Sequence, residues 1–367
     1  MLHKHLIAAV LSVFVFSCSM NTVKKGPPPH PDVAVHLEGS GNLKGIEETK
    51  CMDQDRSLIC SIQALQASLG LKPGQDETIA AALALPFSFA AHDRDCPTGW
   101  SRFAGTTTLL ESGKFLGLKF KALKSNLFKD DRFNQLYKID SVRMDDFILA
   151  HRDKLLKELD AGNTVLVEGG FKGAIYWWGL ITKYNASSDS FMGLVSGRGK
   201  PVELIYPPEM VLTAGKFRDP PVNNVCMLAQ RAIGMIGPKA YDFGKGNGGW
   251  SFGKAAFDVW RRRLGEPVFC PICENGSWSD HKAVASALLD YITLLKTAFK
   301  TCPDSDVKTR TNTCLDKASA ALQVSLGDRV EMLFESDSGK RRLAFDVLEA
   351  ERALTGCFAD TERKQER

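Results

Sequence analysis

The sequence predicts an α+β protein in which a layer of helices precedes an antiparallel sheet, with an α-helical C-terminal extension after it. Three observations carry that expectation. Apolar residues recur at helical spacing through residues 55–71, 77–85, 106–118 and 144–161. Between Thr164 and Ile205 the pattern changes to short β-branched and aromatic runs separated by turn residues. From Cys226 onward helical spacing returns. Helices in one block and strands in the next make an α+β plan.

The chain opens with a targeting segment. Lys4 lies between His3 and His5, Leu6 to Phe16 is apolar apart from Ser12, and Val15-Phe16-Ser17-Cys18 closes the run. The run is too short to span a bilayer as a permanent helix. Its ending resembles a bacterial lipobox, which implies that Cys18 carries acyl chains and that the membrane holds the protein through a lipid anchor. Ser19 stands where Asp would retain an inner-membrane lipoprotein, so the expected place is periplasmic, at the outer membrane. An ordinary cleaved signal peptide that happens to contain a cysteine is the alternative. Residues 19–45, with Lys24-Lys25-Gly26 and Pro27-Pro28-Pro29-His30-Pro31, read as an extended, solvated tether. The expected organisation is therefore 1–18 signal peptide, 19–45 tether, 46–215 α+β domain and 216–367 helical extension.

The remaining length, at 44% hydrophobic residues, is ample for a real core. A net charge of +4 from 47 basic and 43 acidic residues is nearly balanced. Lys and Arg are scattered and no basic stripe interleaves with aromatics, so a nucleic-acid partner is not expected. Arg261-Arg262-Arg263, the densest run, reads as a solvated helix face.

Leu58, Ile62, Leu65 and Leu69 predict a helix that Ser57 can cap and that Gly70, with Lys72-Pro73 beyond, ends. Cys60 falls in its first turn and points away from the leucine stripe. There the helix dipole and unpaired N–H groups favour a thiolate, as a thiol hydrolase or acyltransferase needs. A small hydrophobe in a core helix, or half of a disulfide, accounts for the same residue. Glu77 to Leu85 is a second helix stopped by Pro86, and 87–105 reads as a loop carrying His92, Cys96 and Trp100. Thr106 to Leu118 is a third helix leading into the strand Lys119 to Leu123, and Met144 to Ala161 a fourth. Strands follow at Thr164–Glu168, Tyr176–Tyr184 and Ser190–Val195, with a turn at Asn185 to Asp189 between the last two. Val202–Ile205 and a break at Pro207-Pro208-Glu209-Met210-Val211 complete the set. Trp177 and Trp178, as neighbours in a strand, put one indole in the core and one at the surface.

A helix opened by a thiol and ending in Leu69-Gly70, then more helices, then strands that include Trp177-Trp178-Gly179-Leu180-Ile181-Thr182-Lys183-Tyr184-Asn185, resembles the papain-like fold. Within it the chain is similar to butirosin-biosynthesis H-type N-terminal domains and to bacteriocin-leader peptidases, over Lys50 to Ala214. Such a fold implies a cysteine nucleophile on the helix and a general-base histidine on a strand. Counting back from Tyr184, that histidine falls on Trp177, and an indole takes no proton from a thiol. Val195-Ser196-Gly197 stands where the third residue, Asp or Asn, would be. Counting back from Leu69-Gly70, the nucleophile falls nearer Ser57, about one helical turn from Cys60. The resemblance thus implies a scaffold without its catalytic machinery. Its cleft, with Ser57, Trp177, Trp178 and Asn185, would suit a peptide or a small ring-bearing ligand. His92, if its loop folds over the Cys60 helix, would restore an active dyad; His151 is expected on the exposed side of its helix.

In the second half, Gly244 to Trp260 joins a glycine-rich turn to a helix. No Gly-Lys-Ser or Gly-Lys-Thr ends that turn, so it reads as a seat for Trp250, Phe252, Phe257 and Trp260 against the first half. Further helices are expected at Leu288–Ala298, Leu315–Leu326 and Leu343–Leu354. Ten cysteines less Cys18 leave nine, enough for four disulfides and one thiol in an oxidising compartment. Cys302 with Cys314 is the first expected pair, and Cys51 with Cys96 or Cys60 the second. Cys270-Pro271-Ile272-Cys273 reads as a local disulfide, a redox pair, or half a zinc site with His281. No cofactor or metal is expected. The function expected is a lipid-anchored binding or scaffold module. The alternatives are a thiol peptidase, amidase or acyltransferase using Cys60, and redox or metal binding through Cys270 and Cys273.

Overall fold

The computed structural model describes residues 31–34, 57–83, 85, 90–92, 106–124, 141–175, 177–196, 198, 200–217, 228, 250–252, 258, 262, 288, 292–293, 296, 316–317, 320 and 349. In chain order the strands are β1 (Val33–Ala34), β2 (Ala90–His92), β3 (Leu118–Lys124), β4 (Val165–Glu168), β5 (Trp178–Asn185), β6 (Ser190–Val195), β7 (Val202–Glu203), β8 (Met210–Lys216) and β9 (Trp250–Phe252). The helices are α1 (Ser57–Ser68), α2 (Asp76–Ala82), α3 (Thr106–Leu116) and α4 (Ser141–Asp160). The architecture is α+β.

The main sheet runs β3-β8-β4-β5-β6-β7, antiparallel at every pairing, and β1 adds a seventh strand against β5. β4 is buried at all four positions, as an apolar run between two covered faces must be. Strand alternation sends Val165, Val167, Ile181 and Val211 to one face. There they form a single core with Phe147, Leu155, Leu156 and Leu159 of α4. Leu166, Leu180 and Leu212, also buried, share the opposite face with Trp178, on the side that carries α1. The helices on that side are tied to one another through the buried Gln66. Its Nε2 donates to Leu116 O (2.8 Å) at the end of α3, and its Oε1 accepts the N–H of Gly74 (2.8 Å) before α2.

The link from β4 to β5 turns back over the α4 face. Phe171 is fully buried, and its ring lies where a Cβ on Gly179 or Gly193 would have to go, 2.6 Å and 2.7 Å from the nearest ring carbons. Two bare backbone positions on neighbouring strands thus make the seat for one aromatic ring.

Several elements differ from expectation. β8, anticipated only as a break around Pro207-Pro208, is an interior strand between β3 and β4. The prolines stop short of it, so none of its ladder N–H groups is lost. His92 falls in a strand, β2, paired with β9 so that His92 stands opposite Trp250. That pairing joins the Gly-Trp segment to the first half through its backbone. Part of the expected tether is also strand: Val33 and Ala34 pair with Tyr184 and Lys183, and Asp32 Oδ1 accepts the N–H of Ala186 (2.7 Å). The positions described in the C-terminal part, apart from β9, are helical, and Lys296 pairs with Asp316 (3.4 Å). Cys18, Cys51, Cys96, Cys270, Cys273, His281, Cys302 and Cys314 lie outside the described residues.

Candidate functional site

The first turn of α1 faces the start of β5, and the two elements meet through a polar contact. Ser57, fully buried, accepts the backbone N–H of Trp178 on its Oγ at 3.1 Å. A residue placed to cap its own helix instead caps the entry of a strand remote in sequence. Trp178 is itself fully buried and is paired in register with Glu168 across β4–β5. Opposite partners in an antiparallel ladder share a face, so the Glu168 carboxylate lies on the same side of the sheet as the Trp178 indole.

Cys60, one turn further along α1, is buried and disulfide-bonded. None of the other nine cysteines is among the described residues. Of the alternatives the sequence offers for Cys60, half of a disulfide is the one found, and the nucleophilic thiol is not: a sulfur in a disulfide has no thiolate to attack with. Its burial follows from α1 being enclosed on more than one face, with Leu58, Ile59, Cys60, Ser61 and Ile62 all covered.

Of the four residues expected to line a cleft, only Ser57 and Trp178 come together. Trp177 is partly buried and packs against the α4-side core, the face away from α1. The resemblance set the histidine column on Trp177, but strand alternation turns Trp178 towards the helix. Asn185 stands at the far end of β5, roughly 23 Å from Trp178 at about 3.3 Å per residue. Its Oδ1 accepts the Ser187 N–H (3.0 Å) and hydroxyl (2.7 Å), so it shapes the β5–β6 turn and belongs to no cleft near Ser57. The turn itself lies where the sequence predicts it.

His151 is half-buried on α4, not on its exposed side, with its ring 5.0 Å from that of Phe147 and its Nδ1 buried without a hydrogen-bond partner. Burial, then the charges of Lys154 and Lys124, hold its pKa below the ordinary 6.5.

Two buried charged residues escaped the sequence reading. Arg152 of α4 donates to Tyr184 Oη (2.8 Å), and Tyr184 Oη donates in turn to Asp189 Oδ1 (2.6 Å). Arg152 Nε stands 3.0 Å from the same carboxylate oxygen as an ion pair, without hydrogen-bond alignment. Burial pushes the Tyr184 hydroxyl above its usual pKa, and the Tyr184 bond raises that of Arg152. The network holds Asp189 at φ +48°, the one non-glycine residue with positive φ among those described. The available signal was an arginine within the apolar stripe of α4, between Ile148 and Leu155. Glu168 carries a similar signal, an acid closing the apolar run Val165-Leu166-Val167, and is 1% exposed.

Around Ser57, then, the described residues supply a buried hydroxyl engaged as an acceptor, a buried indole, a buried carboxylate and a bridged sulfur. Of these, the hydroxyl accepts the Trp178 amide N–H and the sulfur is bridged. Among those residues no group of three or more His, Cys, Asp or Glu is arranged to hold a metal ion, and no helix is long and apolar enough to cross a membrane. Neither a model of a known protein family nor a curated protein matches the chain.

Proposed function

We propose that the chain is an exported, lipid-anchored protein whose papain-like domain serves as a binding or scaffold module and performs no thiol chemistry. The reading is supported by one observation above all. At the helix start where a thiol hydrolase would keep an open nucleophile beside an imidazole, Ser57 is buried against the Trp178 amide and the only nearby sulfur on α1 is oxidised. A seat filled in this way ties the helix to the sheet, and its hydroxyl already accepts a backbone amide. Export to an oxidising compartment agrees with a bridged Cys60. Anchoring rests on the Cys18 motif alone.

Alkylation with iodoacetamide tests the proposal. The native full-length protein should leave Cys60 unmodified without reductant, and mild reduction should expose no thiol there that reacts faster than a free cysteine near pH 7. A fast Cys60 thiolate, together with hydrolysis of peptide or amide substrates that is lost in Cys60→Ala, would replace the scaffold with an enzyme.

A further inference from the structure

Among the described residues, Lys119, Lys121, Lys124 and Lys154, scattered in sequence, stand on one side of the sheet. On the α4 face the helix packs over β4 and β5 and over the Val211 and Leu123–Lys124 ends of β8 and β3, while the Gly215 and Lys119 ends lie towards the sheet edge. Lys119 stands opposite Gly215 and Lys121 opposite Thr213, so all four share that face. A Cβ on Gly215 would meet nothing within 4 Å, so this strip of sheet is open at its Lys119–Gly215 end, whereas Thr213 beside Lys121 is buried. A register shift between Ala122 and Lys124 returns Lys124 to the same face, where its Nζ lies 5.7 Å from the Phe147 ring centre of α4 and bonds Pro208 O. Phe217, 37% exposed, donates its N–H to Gly117 O (3.1 Å), which prolongs the ladder and brings its ring to the same side.

Lys119, Lys121 and Lys154 are exposed, and no carboxylate lies within ion-pair distance of any of them among the described residues. Burial first, then the charges of Lys154 and Lys124, disfavour a charge on His151, which lies near both lysines. On α4, Asp153 adjoins Lys154 in sequence and is exposed without an ion pair to it, and Glu158 is engaged with Asn163 Nδ2 (2.9 Å). Long cationic side chains standing apart on an open sheet, beside an exposed aromatic ring, suit a spread-out array of phosphates. A single small anion would need converging donors instead.

We propose that the exposed side chains at this sheet edge, Lys119, Lys121 and Phe217, with Lys154 of α4 beside them, are a docking surface for the anionic phospholipid headgroups of a membrane. It would hold the folded domain flat against the bilayer. The proposal deepens the reading of a membrane-tethered module, but it stands on these side chains and does not need the acyl anchor.

The test uses the full-length chain with Cys18→Ser, which removes the anchor, and vesicles of zwitterionic lipid with or without phosphatidylglycerol. The protein should sediment with anionic vesicles at low salt and not with neutral ones, and should be released as screening shortens to a few ångströms near 1 M salt. Lys119→Glu with Lys121→Glu should lower the partition about tenfold or more, whereas Lys157→Glu, an exposed lysine of α4 outside the strip, should change it by less than about twofold. Free glycerol phosphate at millimolar concentration should not compete; if it does, the site is a small-anion pocket and the membrane assignment fails. Equal binding to neutral vesicles, an equal loss with Lys157→Glu, or retention on an oligonucleotide but not on vesicles would each overturn the proposal. The outcome is independent of whether Cys18 is acylated, which the mass of the mature N-terminus decides separately.

Discussion

The two faces of β5 are held by different means. Towards α4, side chains do the holding: Val165, Val167, Ile181 and Phe191 close around Phe171, and one charged network, Arg152–Tyr184–Asp189, is set at the rim. Towards α1, beside the buried Leu166, Leu180 and Trp178, specific polar ties stand out: Ser57 to the Trp178 amide, and, within the helical layer itself, Gln66 to Leu116 and Gly74. The first face is non-directional and depends on volume. The second is directional and depends on which donor meets which acceptor. In a cleft-bearing hydrolase the second kind of contact would be reserved for substrate; here it is spent within the fold.

This contrast predicts the order of mutational effects. Phe171→Ala should cost most, about 3–5 kcal/mol in urea unfolding, because it empties a fully enclosed ring site floored by Gly179 and Gly193 that backbone cannot collapse to fill. A loss under about 1 kcal/mol would mean that the ring is not the plug it is taken for. Ser57→Ala should cost about 1–3 kcal/mol, since a buried N–H loses its acceptor. Ser57→Thr, which keeps the oxygen, should recover part of the loss if the extra methyl is accommodated. A Ser57→Ala protein of unchanged stability would show that the α1 face does not depend on that tie. The smallest effect concerns pH. The folded-state pKa of His151 lies below the ordinary 6.5, so the unfolded chain binds more protons as pH falls. Its contribution to stability is present above that value and is lost as pH drops through the folded pKa. Urea midpoints at about pH 7.5 and about pH 5 should therefore differ less in His151→Gln than in the parent chain. An identical pH dependence in the two would assign the effect elsewhere.

Much of the layered order was legible because periodicity changes are local. β6 begins and ends where β-branched and aromatic alternation says it should, at Ser190 and Val195; α1 and α3 fall within the spans predicted for them, and α2 begins one residue before its span and ends three residues short of it. α4 begins three residues earlier than expected. What escaped was long-range. β8 hides behind a proline pair, a local stop signal that says nothing about the seven residues after it. The partner of the Ser57 hydroxyl is an amide more than a hundred positions away, and no helix-local rule finds it. Trp177 and Trp178 do face opposite sides of the sheet, but both meet a core, Trp177 partly buried on the α4 side where a surface position was expected, and which indole meets α1 depends on register, since a one-residue slip exchanges them. Asn185 was assigned to a cleft by counting along a family pattern, although an Asn entering Ala-Ser-Ser-Asp is a turn former on its own chemistry.

The short strand Val33–Ala34 bears on how the molecule can be cut. Treating everything before residue 45 as dispensable leash would strip the amides and carbonyls of Lys183 and Tyr184 of their mates and free the Ala186 N–H from Asp32. Bare strand edges of that kind recruit other chains. A shortened form is thus expected to self-associate for a reason unrelated to the natural protein, and the safe place to trim is upstream of Asp32.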